Sequence, residues 1–165
     1  MQQPIKREQP RPHIAQKQIL KLDIEDFFGS VLFSMVCQSA FPSRYFPPAV
    51  STLLTHLCCY QDALPQGAST SAAISNLVLQ PFDDYIGKWC LEQQITYTRY
   101  CDDMTFLGEF DRKFVENKVR NFLQEMGFTL NQKKTKLITK AHQQSVTGIV
   151  VHEKPQVAKV YRKKL

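Results

Sequence analysis

The chain has 165 residues, of which 43% are hydrophobic, and a formal charge of +6. That length allows one domain with a small appendage, and the apolar fraction is enough for a core. No apolar run approaches the ~20 residues needed to span a bilayer, and the Gln-, Pro- and Arg-rich start has no signal-peptide core. The five cysteines (Cys37, Cys58, Cys59, Cys90 and Cys101) form no CxxC pair. This excludes a disulfide framework or a zinc module and fits a reducing, cytosolic setting.

Residues 1–12 hold three prolines and mixed charge, which predicts an irregular arm reaching residue 17. Residues 18–24 alternate as a strand. Leu20, Leu22 and Ile24 fall on one face, and Ile19, Lys21 and Asp23 on the other. An apolar helix is expected from about residue 25 to 37. After a Pro-rich break, Pro48 opens a helix running through Val50, Leu53, Leu54, Leu57 and Cys58. Leu64-Pro65-Gln66-Gly67 reads as a loop. Thr70 or Ser71 then caps a longer helix. Its residues Ile74, Leu77, Val78, Phe82, Tyr85, Ile86 and Trp89 keep a helical beat. Pro81 must kink or split it, since a regular helix through proline costs about 3 kcal/mol.

A hairpin follows over residues 95–108. A helix from about Arg112 to Met126 places Val115, Val119, Phe122, Leu123 and Met126 inward, and Gly127 stops it. Short strands are expected near 136–140 and 145–151. This order implies an α+β fold, with helices on one face of a small antiparallel sheet and carboxylates at its edge.

Those carboxylates carry the chemistry. Asp102 and Asp103 stand together at the hairpin tip, and Asp23 ends a separate strand. Adjacent aspartates in a tight turn repel unless a cation compensates, and three such oxygen donors suit a pair of Mg²⁺ ions. That combination describes a phosphoryl-transfer centre. From Asn131 onward, nine basic residues face one acid, Glu153. Such a tract is either a solvated face or a nucleic-acid backbone contact, and the neighbouring carboxylates favour the second.

Four segments together resemble the palm of a reverse transcriptase. They are Leu22-Asp23-Ile24-Glu25-Asp26-Phe27-Phe28, then Leu64-Pro65-Gln66-Gly67-Ala68-Ser69-Thr70-Ser71 continuing to Ser75-Asn76-Leu77, then Tyr100-Cys101-Asp102-Asp103, and finally Gly127 through Asn131 to Lys133-Lys134-Thr135. Order and spacing also agree from about Ile19 onward. Val146-Thr147-Gly148 and the phrase Arg99-Tyr100-Cys101-Asp102-Asp103-Met104-Thr105-Phe106 are similar to bacterial retron enzymes, which usually carry Ala at the position of Cys101. Group II intron-type and diversity-generating enzymes share the other motifs.

The resemblance implies a role for each position. Asp23, Asp102 and Asp103, with the backbone carbonyl of Ile24, would hold two Mg²⁺, Asp103 ligating less directly. Phe28 would be a steric gate selecting deoxynucleotides, with Phe27 a core residue. Gln66 and Gly67 would meet template and incoming nucleotide, and Asn76 would fix their loop. Lys133 or Lys134, with Lys134 preferred, would protonate the leaving pyrophosphate. Val146, Thr147 and Gly148 would contact RNA and the primer end. His56, His142 and His152 receive no role.

The expected organisation is an arm (1–17), a palm (18–155) and the start of a truncated thumb (156–165), without the family's fingers. The implied partners are a structured noncoding RNA serving as template and primer, the DNA product, deoxynucleoside triphosphates, and an effector protein in bacterial phage defence. No membrane is implied, and the setting is cytoplasmic. The rival expectation is an incomplete palm kept for RNA binding or assembly. An RNA-dependent RNA polymerase is disfavoured by Phe28 and Leu64-Pro65-Gln66-Gly67.

Overall fold

The computed structural model describes residues 18–139 and, beyond them, backbone strands at 145–146, 149–151 and 155–157. The arm expected over 1–17 lies outside the described residues. Strand β1 (Gln18–Asp23) is the hub of a four-stranded antiparallel sheet. It pairs with β3 (Asp103–Gly108) on one side and β4 (Lys136–Thr139) on the other, and β2 (Thr96–Tyr100) completes the order β2-β3-β1-β4. The period-two alternation is realised. Leu20, Leu22 and Ile24 enter the main core, while Ile19 joins Leu107 and Ile138 in a small cluster on the opposite face. Strands β5 (Ser145–Val146), β6 (Ile149–Val151) and β7 (Pro155–Val157) form a second, antiparallel sheet. The last of these crosses the 155/156 boundary expected between palm and thumb.

The single helix expected over 25–37 is instead two short ones, α1 (Phe27–Ser30) and α2 (Phe33–Ser39). The reason is competition for backbone groups. Glu25 N–H donates to Thr129 C=O at 2.8 Å, so the chain is still bridged to its neighbour there. Asp26 then turns through a left-handed φ of 41°. At the break, Val31 C=O accepts from Leu64 N–H at 3.1 Å, and Phe33 N–H donates to Asp62 C=O at 2.8 Å. The 62–64 loop thus takes the bonds that would have continued the helix.

Helix α3 (Pro48–Cys58) starts at its proline as expected, but much of its apolar stripe faces outward, with Leu54 and Cys58 half-buried. Val50, Leu53 and Leu57 are exposed, and the buried positions are Ser51 and Thr55. Their hydroxyls are satisfied locally. Ser51 Oγ donates to Phe41 C=O at 2.6 Å, and Thr55 Oγ1 to Ser51 C=O at 2.8 Å. Pro81 splits the next helix into α4 (Ser71–Val78) and α5 (Gln80–Glu92). It sits in the first turn of α5, where a missing N–H costs nothing. Leu77 and Tyr85, expected inside, are largely exposed.

Helix α6 (Arg112–Glu125) buries Val115, Val119 and Leu123 and is capped by Asp111, whose Oδ1 accepts from Lys113 N–H at 2.8 Å. It ends at Gly127 with φ 86°. Gly127 N–H reaches Gln124 C=O at 3.0 Å, and Phe128 N–H reaches Leu123 C=O at 2.8 Å. These two bonds form a Schellman stop, which needs a left-handed residue. Phe82 of α5 is fully buried where α5, α6 and the sheet meet, edge-on to Phe122 at 5.7 Å and Tyr97 at 6.3 Å. Phe82→Ala should therefore cost about 3–5 kcal/mol in urea unfolding, and Leu57→Ala on the outward face of α3 less than about 0.5 kcal/mol. Equal losses would contradict the assigned core.

Candidate active site

Asp23 ends β1 as a buried carboxylate. Register places it directly opposite Asp103, the first residue of β3. One residue on, Ile24 N–H donates to Asp102 C=O at 3.3 Å, so the hairpin tip is hydrogen-bonded to the end of the central strand. The three predicted acids therefore share one end of the sheet. A cavity of about 420 Å³ opens there, lined by Asp23, Ile24, Asp26, Phe27, Phe28, Gly29, Leu64, Gln66, Asp102, Asn131 and Lys134. Asp103, Gly67 and Asn76 are outside that lining.

Two facts bear on a cation. Asp23 Oδ1 is buried and has no hydrogen-bond partner, the one such atom among the described residues. Stranding a carboxylate oxygen is costly unless something positive meets it. Its other oxygen, Oδ2, accepts from Lys134 Nζ at 2.9 Å. The three carboxylates are not drawn into a closed cluster; among the described residues no group of three such side chains is preassembled for a metal. The Asp103 carboxyl is pushed up, by desolvation first and then by the charges of Asp102 and Asp23. An orphaned anionic oxygen, two further aspartates and a neighbouring carbonyl form an all-oxygen donor set, which fits Mg²⁺. The hydrogen bonds that close the Ile24–Leu130 bridge come from Glu25 and Asn131, and so flank the Ile24 carbonyl.

Lys134 is aimed by a turn that Asn131 organises. Asn131 N–H donates to Asp23 C=O at 2.8 Å, and its own carbonyl accepts from Lys134 N–H at 3.2 Å and Thr135 N–H at 3.2 Å. Asn131 Oδ1 takes Lys133 N–H at 3.1 Å. Of the two lysines, Lys134 lines the cavity. Its ammonium is pushed up by the hydrogen bond to Asp23 and by that carboxylate's charge.

Phe28 is half-buried on the cavity wall and backed by buried Phe27, ring centroids 5.2 Å apart. Gly29 beside it leaves room for the Asp26 carboxyl, which would have to move from a Cβ otherwise 2.4 Å from its Oδ2. Gln66 reaches the cavity, and Gly67 turns the loop with φ 90°. The expectation that Asn76 fixes this loop is not met. Ser71 does so instead, its Oγ donating to Pro65 C=O at 2.7 Å. Asn76 Oδ1 accepts from Arg99 Nη1 at 3.1 Å, on the hairpin side. Val146 ends β5, while Thr147 and Gly148 lie outside the described residues.

Sequence reasoning missed the support behind the tip. Arg99 Nε donates to Asp83 Oδ1 at 2.9 Å, Arg99 Nη2 bonds Asp83 Oδ2, and Tyr97 Oη donates to Asp83 Oδ1 at 2.7 Å. Burial first, and then Asp83's charge, push the Tyr97 hydroxyl up, so it stays a donor. The available signal was parity. Tyr97 and Arg99 pair across from Phe106 and Met104, both fully buried. An arginine on the inward side of a strand requires a buried acid.

Residues 2–151 match the family described as reverse transcriptase (RNA-dependent DNA polymerase), and the chain belongs to that family. It is 36% identical over 146 residues to the Retron Ec86 reverse transcriptase of Escherichia coli, a match covering 86% of this chain and 45% of that protein. It is 34% identical over 162 residues to the Retron Mx65 reverse transcriptase of Myxococcus xanthus, covering 86% and 38%. Within the family the similarity is therefore to bacterial retron-type enzymes, and the chain spans less than half the length of these two. The fold is shared with apo telomerase from Candida tropicalis truncated from its C-terminal domain, at TM-score 0.64 and 14% identity over 86% of this chain and 35% of that one. The α+β palm expected from sequence is thus the observed fold. No helix among the described residues is long and apolar enough to cross a membrane.

The raised Asp103 carboxyl yields a signed prediction. The unfolded chain releases that proton near pH ~3.9, and the folded chain does so later. Stability therefore falls as pH rises from the unfolded value through the folded one, and the loss is complete above it. In metal-free buffer at neutral pH, Asp103→Asn should melt slightly higher than wild type. Solvent screening keeps the gain to a degree or two, and it should vanish as pH drops to the unfolded carboxylate range. A variant that melts lower at neutral pH would show that the three charges do not oppose folding.

Proposed function

We propose that this chain is the catalytic palm of an RNA-directed DNA polymerase, adding deoxynucleotides to a primer 3′-hydroxyl on an RNA template. The observation that carries this reading is the unpartnered, buried Asp23 Oδ1 set against the Asp102–Asp103 tip at one end of a cavity. Asp23, Asp102 and Asp103, with the Ile24 carbonyl, would hold two Mg²⁺. When bound, these ions would lower the pKa of the primer hydroxyl and neutralise charge on the triphosphate.

The protein's own groups do the rest. Phe28, stiffened by Phe27, presents a ring that a ribose 2′-hydroxyl would strike. Gln66 offers an amide to the template or the incoming base, and Gly67 lets the backbone pass closely. Lys134 holds an ammonium proton beside the carboxylates, available to the leaving pyrophosphate. Val146, Thr147 and Gly148 would touch RNA at the primer end. In this reading residues 18–155 are the palm, 1–17 an arm and 156–165 the start of a thumb. The retron resemblance extends the proposal to a structured noncoding RNA as template and primer, and to an effector protein in a cytoplasmic defence system.

The test is primer extension on an RNA template with Mg²⁺. Asp23→Asn and Asp102→Asn should each reduce incorporation by about 10³-fold, the effect of losing several kcal/mol of charge stabilisation. Undiminished activity in these variants would refute the reading. Phe28→Ala should raise ribonucleotide use relative to deoxynucleotide use by about 10–100-fold, measured as a ratio of kcat/KM values. An unchanged ratio would remove Phe28 as the gate.

A second reading is favoured by the basic run from Lys133 onward: a catalytically incomplete palm that binds RNA or serves assembly. Filter binding to structured RNA, with no incorporation at any Mg²⁺ or Mn²⁺ concentration, would select it.

A further inference from the structure

The two-residue tip of the hairpin is conformationally expensive. Cys101 occupies φ 50°, a left-handed conformation that a side chain with a Cβ disfavours. Something must hold it, because this residue sets the direction of Asp102. The Cys101 carbonyl accepts from Arg99 Nη1 at 2.8 Å. The same nitrogen donates to Asn76 Oδ1 at 3.1 Å, and the rest of the guanidinium is gripped by Asp83. The Arg99 side chain is only 6% exposed. Its fork is therefore fixed by α4 and α5 before it reaches the tip.

From this geometry we infer that Arg99, locked by Asp83 and Asn76, is a positioning residue that sets the strained Cys101–Asp102 turn and so the aim of the Asp102 carboxylate. Its value to catalysis rests on the polymerase reading above; its action on the turn does not. Arginine suits this task and lysine does not. Only a planar fork can bind both Asp83 oxygens and still send a third nitrogen to Asn76 and the tip. Helix α4 thereby serves both walls of the cavity. Ser71 ties the Leu64–Gln66 side through Pro65, and Asn76 ties the hairpin side through Arg99.

The turn can be read without metal, nucleotide or activity. Iodoacetamide labelling at fixed pH, resolved by peptide mass spectrometry, follows Cys101 in the half-buried tip. It also follows Cys90 in the core, whose thiol burial pushes up to about 12. Arg99→Lys keeps the charge and removes the fork. It should speed Cys101 labelling about tenfold, the effect of losing a charge-assisted hydrogen bond, with Cys90 unmoved. Asn76→Ala cuts one bond and leaves the Asp83 pair intact. It should give a smaller rise, again at Cys101 alone.

Unchanged Cys101 labelling in both variants would overturn the inference. So would a rise at Cys90 in step with Cys101, because Arg99 would then hold the fold at large rather than the turn. Failure of wild-type primer extension would count against the polymerase reading and leave the labelling result to judge the turn.

Discussion

The antiparallel contact between the end of β1 and the start of β3 sets the whole site. It lays Asp23 across from Asp103 and hydrogen-bonds Ile24 to Asp102. A register slip of one residue would send every side chain of β1 to the other face. Leu20 and Leu22 would leave the core and Asp23 would enter it. Hydrophobic burial along β1 therefore enforces the meeting of the acids. Their repulsion is tolerated because the rest of the strand cannot move.

Around that contact the polar groups are arranged at two depths. In the cavity, Lys134 meets one oxygen of Asp23, delivered by a turn whose first residue, Asn131, is bonded to Asp23's own backbone. Behind the tip lies the Arg99–Asp83 pair with Tyr97 and Asn76, its guanidinium enclosed and its carboxylate half-buried. Removing the acid from such a pair costs about 3–5 kcal/mol, because the enclosed arginine is left charged without a partner. The front pair opens to solvent through Lys134, whereas the rear guanidinium is closed off.

Local signals were legible where one physical cause acted alone. The alternation of β1, the stop at Gly127, the start of α6 near Arg112 and the split at Pro81 all follow from side-chain pattern or backbone geometry within a few residues. Motif order singled out the three aspartates, Phe28 and Gln66 as candidates, and the fold brings them to one end of the sheet and its cavity. Prediction failed where distant backbone groups competed. Nothing in residues 25–37 announces that Asp62 and Leu64 will take the hydrogen bonds at Val31 and Phe33 and so divide the helix. Helix α3 misled for a related reason. Its apolar stripe is real, but the neighbouring segment gives Ser51 a carbonyl at Phe41, and the most buried positions are Ser51 and Thr55 rather than the leucines. Asn76 was assigned to the wrong wall because sequence proximity pointed to the 64–71 loop, while the fold brings Arg99 to it.

By itself, the sequence determined the α+β class, the family and the identity of the acids, because periodicity, proline and glycine geometry and motif spacing are properties of the chain read in order. Tertiary structure alone decided which oxygen of Asp23 stays unpaired, which lysine reaches it, and which arginine braces the tip. Those outcomes depend on distances between residues as far apart in sequence as Asp23 and Lys134. Such distances are fixed only once the sheet has closed and the helices have packed against it.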